Sequence, residues 1–145
     1  VEQKIIPVSI ANVFLWEEQL IGIRFTRDGE LDEKAAIDIL KAVLDLSAGK
    51  PHAIYYDFNN YNILLSNIAK KLASVRNDLD SNLIARAFLS RNLMNQIEAN
   101  HFIQHSKPLA ETRVFQSEKE ALKWLRAKIH DFKAVDKPAN PLNKQ

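Results

Sequence analysis

A chain of 145 residues suits one domain and can bury roughly 68–70% of its unfolded surface without staples. Hydrophobic residues make up 46% and charged residues 26%, with 20 Lys plus Arg against 18 Asp plus Glu, which excludes a disordered chain. The lack of cysteine excludes disulfides and thiolate chemistry, and apolar runs such as Val13–Trp16 fall far short of the ~20 residues of a membrane helix.

Ala11–Trp16 and Leu20–Phe25 are rich in β-branched and aromatic residues and flank the polar Glu17-Glu18-Gln19, the pattern of a hairpin. Asp28-Gly29 marks a turn, and Asp32 is the expected N-cap of a helix running to about Ala48. Its expected buried stripe is Ala36, Ile37, Leu40, Val43 and Leu44. Gly49 stops it and Lys50-Pro51 starts an extended segment. Ala53–Phe58 reads as a strand and Asp57–Asn62 as a polar loop, followed by a second helix with Leu65, Ile68, Leu72, Val75 and Leu79 on one stripe. Leu83–Leu89 is a strand interrupted only by Arg86, and Ser90 is placed to cap a third helix, roughly Arg91–His105, which stops before Lys107-Pro108. After a short strand at Thr112–Phe115, Ser117-Glu118-Lys119-Glu120 fits a capping box ahead of a helix carrying Ala121, Leu122, Leu125 and Ile129. Residues 1–132 are expected to form one domain and residues 133–145 a frayed tail. The order β-β-α-β-α-β-α-β-α implies an α/β fold with a mixed, mostly parallel sheet and an N-terminal hairpin at one edge.

Strand parity adds detail. Tyr55 and Asp57 fall on one side of their strand, with Ile54, Tyr56 and Phe58 on the other. Arg24 and Arg86 each oppose the apolar side of theirs, and Arg113 lies in the last strand. One sheet face is therefore expected to be well covered and the other mixed. The simple reading puts the arginines at strand ends or edges with their heads in water. The sharper one uses the mixed face for self-association or an anionic ligand.

Motif chemistry is sparse. Gly22, Gly29 and Gly49 are the only glycines, too few for a phosphate loop or a dinucleotide fingerprint, and no hydrolase elbow, zincin motif or calcium loop occurs. Lys70-Lys71 with Arg76 is the nearest approach to a basic patch, but Asp78 and Asp80 dilute it, so no nucleic-acid partner is expected. His101 and His105, four apart on the third helix with Glu98 one turn earlier, have the spacing of metal ligands without an identifiable fourth. Helical projection places them near Met94, Ile97 and Phe102, so the favoured reading is packing or boundary histidines, with no metal and no cofactor. Trp16 and Trp124 read as packing residues. Ligands of open α/β sheets bind beyond the carboxyl ends of the strands. Those ends are Asp57, Asn59, Asn60, Tyr61 and Asn62, leading to Ser66, then Ser90, Arg91 and Asn92, and then Gln116-Ser117.

Gly29-Glu30-Leu31-Asp32 after the strand Leu20–Phe25 resembles the G-E-L-D that follows the second strand of STAS domains of the anti-sigma factor antagonist type. Ile54-Tyr55-Tyr56-Asp57-Phe58 resembles that family's hydrophobic strand ending in Asp-Leu, and the element order agrees. Ala85–Leu89, Asn100-His101-Phe102-Ile103, Lys107-Pro108, Val114-Phe115 and Ala121-Leu122-Lys123-Trp124-Leu125 resemble small bacterial STAS-like proteins of uncharacterised function, so the likeness spans roughly residues 10–130. The resemblance implies a cytoplasmic, non-enzymatic regulatory domain that binds a protein partner and is switched by phosphorylation of a serine at the start of the second helix. Ser66 is the nearest match, although the flanking Asp and Gly of the family's motif are absent. A homodimer through the hairpin edge or the mixed face is the candidate assembly. The same architecture resembles the lipid-binding Sec14-like domains, which leaves a small-molecule or lipid binder as the alternative.

Overall fold

The alternating segments of the first half pair as the sequence predicts, with three short strands more, Ile5–Val8, Gly29–Leu31 and Ile63–Leu65. In the computed structural model, which describes residues 4–58, 61–67, 82–106 and 110–136, the chain opens with β1 (Ile5–Val8), β2 (Ala11–Glu17) and β3 (Leu20–Phe25), antiparallel in succession. β4 (Gly29–Leu31) and α1 (Glu33–Ser47) precede β5 (His52–Asp57), β6 (Ile63–Leu65) and β7 (Leu83–Leu89). α2 (Leu93–Ser106), β8 (Glu111–Phe115) and α3 (Glu118–Asp136) complete the described residues. The main sheet has the order β1-β2-β3-β5-β7-β8, parallel from β3 onward, while β4 and β6 form a small parallel sheet of their own.

Local chemistry sets the boundaries. The Asp32 carboxylate accepts from the Ala35 amide at 2.9 Å and so caps α1, which ends on Ala48 in the left-handed region. Ser117 Oγ accepts from the Glu120 amide at 3.3 Å at the start of α3. Gln19 takes a positive φ of 67° in the β2–β3 turn, and its amide nitrogen donates to the Pro51 carbonyl at 3.0 Å.

Parity sorts the side chains onto two faces. Val13, Ile21, Ile23, Phe25, Ile54, Tyr56 and Phe88 pack beneath α1 and α2 in one core. Leu20, Ala53, Tyr55, Ala85, Ala87 and Leu89 pack beneath Ala121, Leu122, Leu125 and Ile129 of α3 in another. Both faces are thus covered where these helices lie.

Several expectations change. β1 escapes the sequence pattern because Pro7 interrupts it. Lys4 O accepts from the Leu15 amide, so the register turns the backbone of Pro7 to the free edge, where no ladder donor is missed. On α1 the buried stripe is Ala35, Ile39, Ala42, Val43 and Leu46, and Leu44 is exposed, because the apolar arc is wider than the face the sheet covers. Leu65 lies in β6 and not in a helix. The helix expected onward from it lies outside the described residues over 68–81. Arg86 does not hold its head in water. It is 1% exposed, with its guanidinium carbon 5.6 Å from the centre of the Phe102 ring. α3 continues helical through Lys133 to Asp136, and residues 137–145 of the expected tail lie outside the described residues.

Candidate functional site

The carboxyl ends of β5 and β7 are joined by one buried amide. Asn95, in the first turn of α2 and 3% exposed, donates from Nδ2 to the Phe58 and Tyr61 carbonyls at 3.0 and 2.8 Å, and its Oδ1 accepts from the Ile63 amide at 3.2 Å. At this first-turn position asparagine costs the helix little, and its burial is accounted for by these three tertiary bonds. Asn92 Oδ1 accepts from the Asn95 amide at 3.4 Å, which makes Asn92 and not Ser90 the N-cap of α2. Asn92 Nδ2 donates to Asn62 Oδ1, closing a bridge between the two loops at the surface.

The second loop is fixed from below. Ser90 is fully buried, accepts from the Asn92 amide at 3.1 Å and donates to its carbonyl at 3.0 Å, while the Ser90 carbonyl accepts from Gln96 Nε2 at 2.9 Å. Arg91 is exposed and donates from Nε to the Gln116 carbonyl at 3.1 Å. The first loop is tied to the β3–α1 connection. The Asn62 amide donates to Asp28 Oδ1 at 2.8 Å, Gly29 donates to the Asn62 carbonyl at 3.1 Å, and the Ser66 amide donates to the Leu31 carbonyl at 3.3 Å.

Of the residues predicted from sequence, Tyr61, Asn62, Ser90 and Asn92 are brought together around Asn95. Asn95 itself was missed, and the one available signal was an asparagine set inside a helical run. Ser66 is held against the end of β4 and is half-buried. Asp57 belongs elsewhere: parity sends it to the α3 side of the sheet, where its carboxylate lies 3.4 Å from Arg24 Nε. Asn59 and Asn60 lie outside the described residues.

The inward face of α2 also differs from the prediction. Asn95, Ala99 and Phe102 are buried, whereas Leu93 and Ile97 are 70% and 59% exposed. His101 is therefore exposed and not a packing residue, and Glu98 is half-buried; the His105 side chain is outside the described set. Among the described residues no three His, Asp or Glu side chains converge as metal ligands.

A second polar group sits on the α3 side. Arg24 lies over Phe14 and Trp16 at 5.1 and 5.8 Å, and Trp16 meets the Tyr55 ring edge-on at 5.6 Å. Burial, and then the Asp57 and Glu118 carboxylates, push the Tyr55 hydroxyl well above the ordinary tyrosine range, so it stays protonated and neutral.

A family profile described as a domain of unknown function, DUF7793, matches residues 14–129. No curated protein matches. Among solved structures, an uncharacterized DUF3478-family protein with a SpoIIAA-like fold, from Shewanella loihica PV-4, aligns with a TM-score of 0.53 at 14% identity, covering 86% of this chain and 92% of that one. At that identity the likeness is one of fold, and it agrees with the STAS resemblance of the sequence: the sheet is mostly parallel, and the architecture is STAS-like.

Proposed function

We propose, from the premise that the chain belongs to the DUF7793 family, that it is a non-enzymatic regulatory domain whose carboxyl-end loops recognise a protein partner. The observation that carries this reading is the Asn95 hub. A buried amide with three bonds to the β5–β6 loop fixes that loop to the start of α2, and it leaves Asn62 exposed and Asn92 half-buried beside it. Prepositioned polar tips lower the ordering cost of binding.

Ser66 is the proposed regulatory position. The β4–β6 register pairs Leu31 with Leu65, so Ser66 stands beside Asp32, the cap of α1. A phosphate there would add nearly two negative charges next to a capping carboxylate. Like-charge repulsion would then loosen the β4–β6 junction and with it the loop that carries Asn62. A cytoplasmic location is part of the same proposal, as the STAS resemblance implies. Among the described residues no helix is long and apolar enough to cross a membrane. A homodimer through the sheet edges has little support, because Pro7 guards β1 and the exposed Glu111 and Arg113 guard β8. The lipid- or small-molecule alternative gains nothing from the cavity at the amino end of the strands. That cavity is lined by Gln19, Leu46 and His52 and holds about 110 Å³, whereas ligand pockets run to roughly 300–1,000 Å³; the larger hollows beside Asp38 and Lys41, about 450 and 540 Å³, lie open on the surface of α1.

The test is covalent cross-linking of the tagged chain in its own cells, with partner recovery quantified for Ser66→Ala, Ser66→Asp and Asn92→Ala. Ser66→Ala should retain the cross-linked partner, and Ser66→Asp and Asn92→Ala should each reduce it by about tenfold, the equivalent of ~1.4 kcal/mol. Equal recovery across the three variants would overturn the assignment of the strand-end surface.

A further inference from the structure

We infer that the free edge of β8 takes an added strand from a protein partner, with an Asp or Glu of that strand opposite Arg113. The inference rests on the protein-binding reading above for the nature of the partner and adds a second contact with its own chemistry. β8 ends the main sheet, and among the described residues no strand pairs with its outer side. The Ser90 amide donates to the Phe115 carbonyl at 2.9 Å, so Phe115 turns its backbone toward β7. Alternation gives Arg113 and Glu111 the same orientation and points the N–H and C=O groups of Thr112 and Val114 outward. Two donors and two acceptors stand in line there, the groups that an added strand uses. β1, the opposite edge, has Pro7 on its free side and lacks that donor.

Charge selects the partner's side chain. Arg113 is exposed on the α3 side of β8, its guanidinium carbon 5.1 Å from the centre of the Phe115 ring and 5.5 Å from that of Trp124. The rings orient the cation but leave its N–H donors unused, and no carboxylate among the described residues pairs with it. Lys128, over the same Trp124 ring, differs, because Glu111 already matches its charge at 2.6 Å. In an antiparallel pair the residue opposite Arg113 takes a non-hydrogen-bonded position, where side chains come closest and an opposite charge stabilises the pair. Its two neighbours face Thr112 and Val114 on the other side of the sheet, where β-branched residues fit. A second copy of this chain fits poorly. Pairing centred on Arg113 opposes two arginines, and pairing centred on Thr112 needs Glu111, which Lys128 already holds.

Three short synthetic peptides test this by fluorescence anisotropy against the full chain, at concentrations up to ~1 mM. One alternates valine and threonine around a central glutamate, the second has lysine at the centre, and the third is the glutamate peptide N-methylated where it would bond Thr112 and Val114. The glutamate peptide should bind and weaken with salt, and the lysine and N-methylated peptides should each bind about tenfold less tightly. Arg113→Gln should cost the glutamate peptide about tenfold, and Arg113→Glu should reverse the preference toward lysine. The Arg113 side chain is exposed, so both variants should keep the wild-type circular dichroism. Equal binding of the glutamate and lysine peptides, equal binding of the glutamate peptide and its N-methylated form, or no binding of any would each overturn the inference. A dimer in sedimentation that Arg113→Gln dissociates would give the edge to a second copy and overturn it as well. In the cross-linking series, a partner kept by Arg113→Gln but lost by Ser66→Asp would remove this inference and leave the strand-end reading standing. A partner lost by Arg113→Gln but kept by Ser66→Asp and Asn92→Ala would do the reverse.

Discussion

The two faces of the main sheet are closed by different means. On one face α1 and α2 lay whole helices over the sheet, and the β5–β6 loop is bolted to that cover through Asn95. On the other face α3 spans β5, β7 and β8 and reaches β2 and β3 at Glu17 and Leu20, while among the described residues the Phe14–Gly22 stretch of β2 and β3 is covered by side chains of the sheet itself. There Phe14 lies over Gly22, Trp16 packs against Phe14 at 5.7 Å, and Arg24 spreads over both, tied to Asp57. Phe14 is only 5% exposed under this thin layer. A helical cover can carry loops and present them. A side-chain cover can only close a surface, and it depends on a few close fits.

The comparison breaks most visibly at Asn95. Replacing it with leucine would strand two carbonyls, those of Phe58 and Tyr61, and the Ile63 amide in a dry site. Each buried group left without a partner costs about 1–3 kcal/mol, so Asn95→Leu should destabilise by roughly 3 kcal/mol or more in urea unfolding. A loss below about 1 kcal/mol, the net worth of one ordinary hydrogen bond, would mean the loops hold themselves and the helix side is no more integrated than the other.

The thin side should respond to a smaller change. A Cβ on Gly22 would sit 2.4 Å from Phe14 Cζ, so the ring must move. Gly22→Ala should cost about 1–3 kcal/mol, with a shift in Trp16 fluorescence as the stacked layer opens. In a Phe14→Ala background the same change should be neutral or slightly stabilising, since glycine alone weakens a strand. Additive losses would show that the ring is not what glycine serves there.

The same contrast governs what could be read from sequence. The strands beneath α3, their parity, the Asp32 cap and the Ser117 cap were legible because each is a local pattern of two to six residues. The STAS-like order followed from them. The helix faces were less legible. In α1 two apolar stripes overlap, and in α2 the inward face is centred on a polar residue whose reason lies in loops more than 30 residues away in sequence. Arg86 looked like a surface arginine because a charge in a strand usually is one; its burial over Phe102 depends on α2. Of the site, the strand-end loops were visible from the topology rule for α/β sheets, but Asp57 was assigned to them by sequence proximity when parity had already put it on the other face.

Tyr55 gives the finest probe of the α3 side. Its hydroxyl is buried near the Asp57 and Glu118 carboxylates, which raise its pKa above that of an unfolded tyrosine, near 10. The folded state then holds this proton where the unfolded state releases it, so stability is fully present below about pH 10 and falls as the pH rises beyond it. One such group contributes a slope of up to about 1.4 kcal/mol per pH unit. Tyr55→Phe removes the titrating group and keeps the ring that meets Trp16, so its stability at pH 7 should change little. Its alkaline limb, measured by urea unfolding at several pH values above 9, should be shallower than that of the wild type by about that slope. Identical alkaline limbs would mean that solvent reaches the hydroxyl, and that the side-chain seal over β3 and β5 is open in solution.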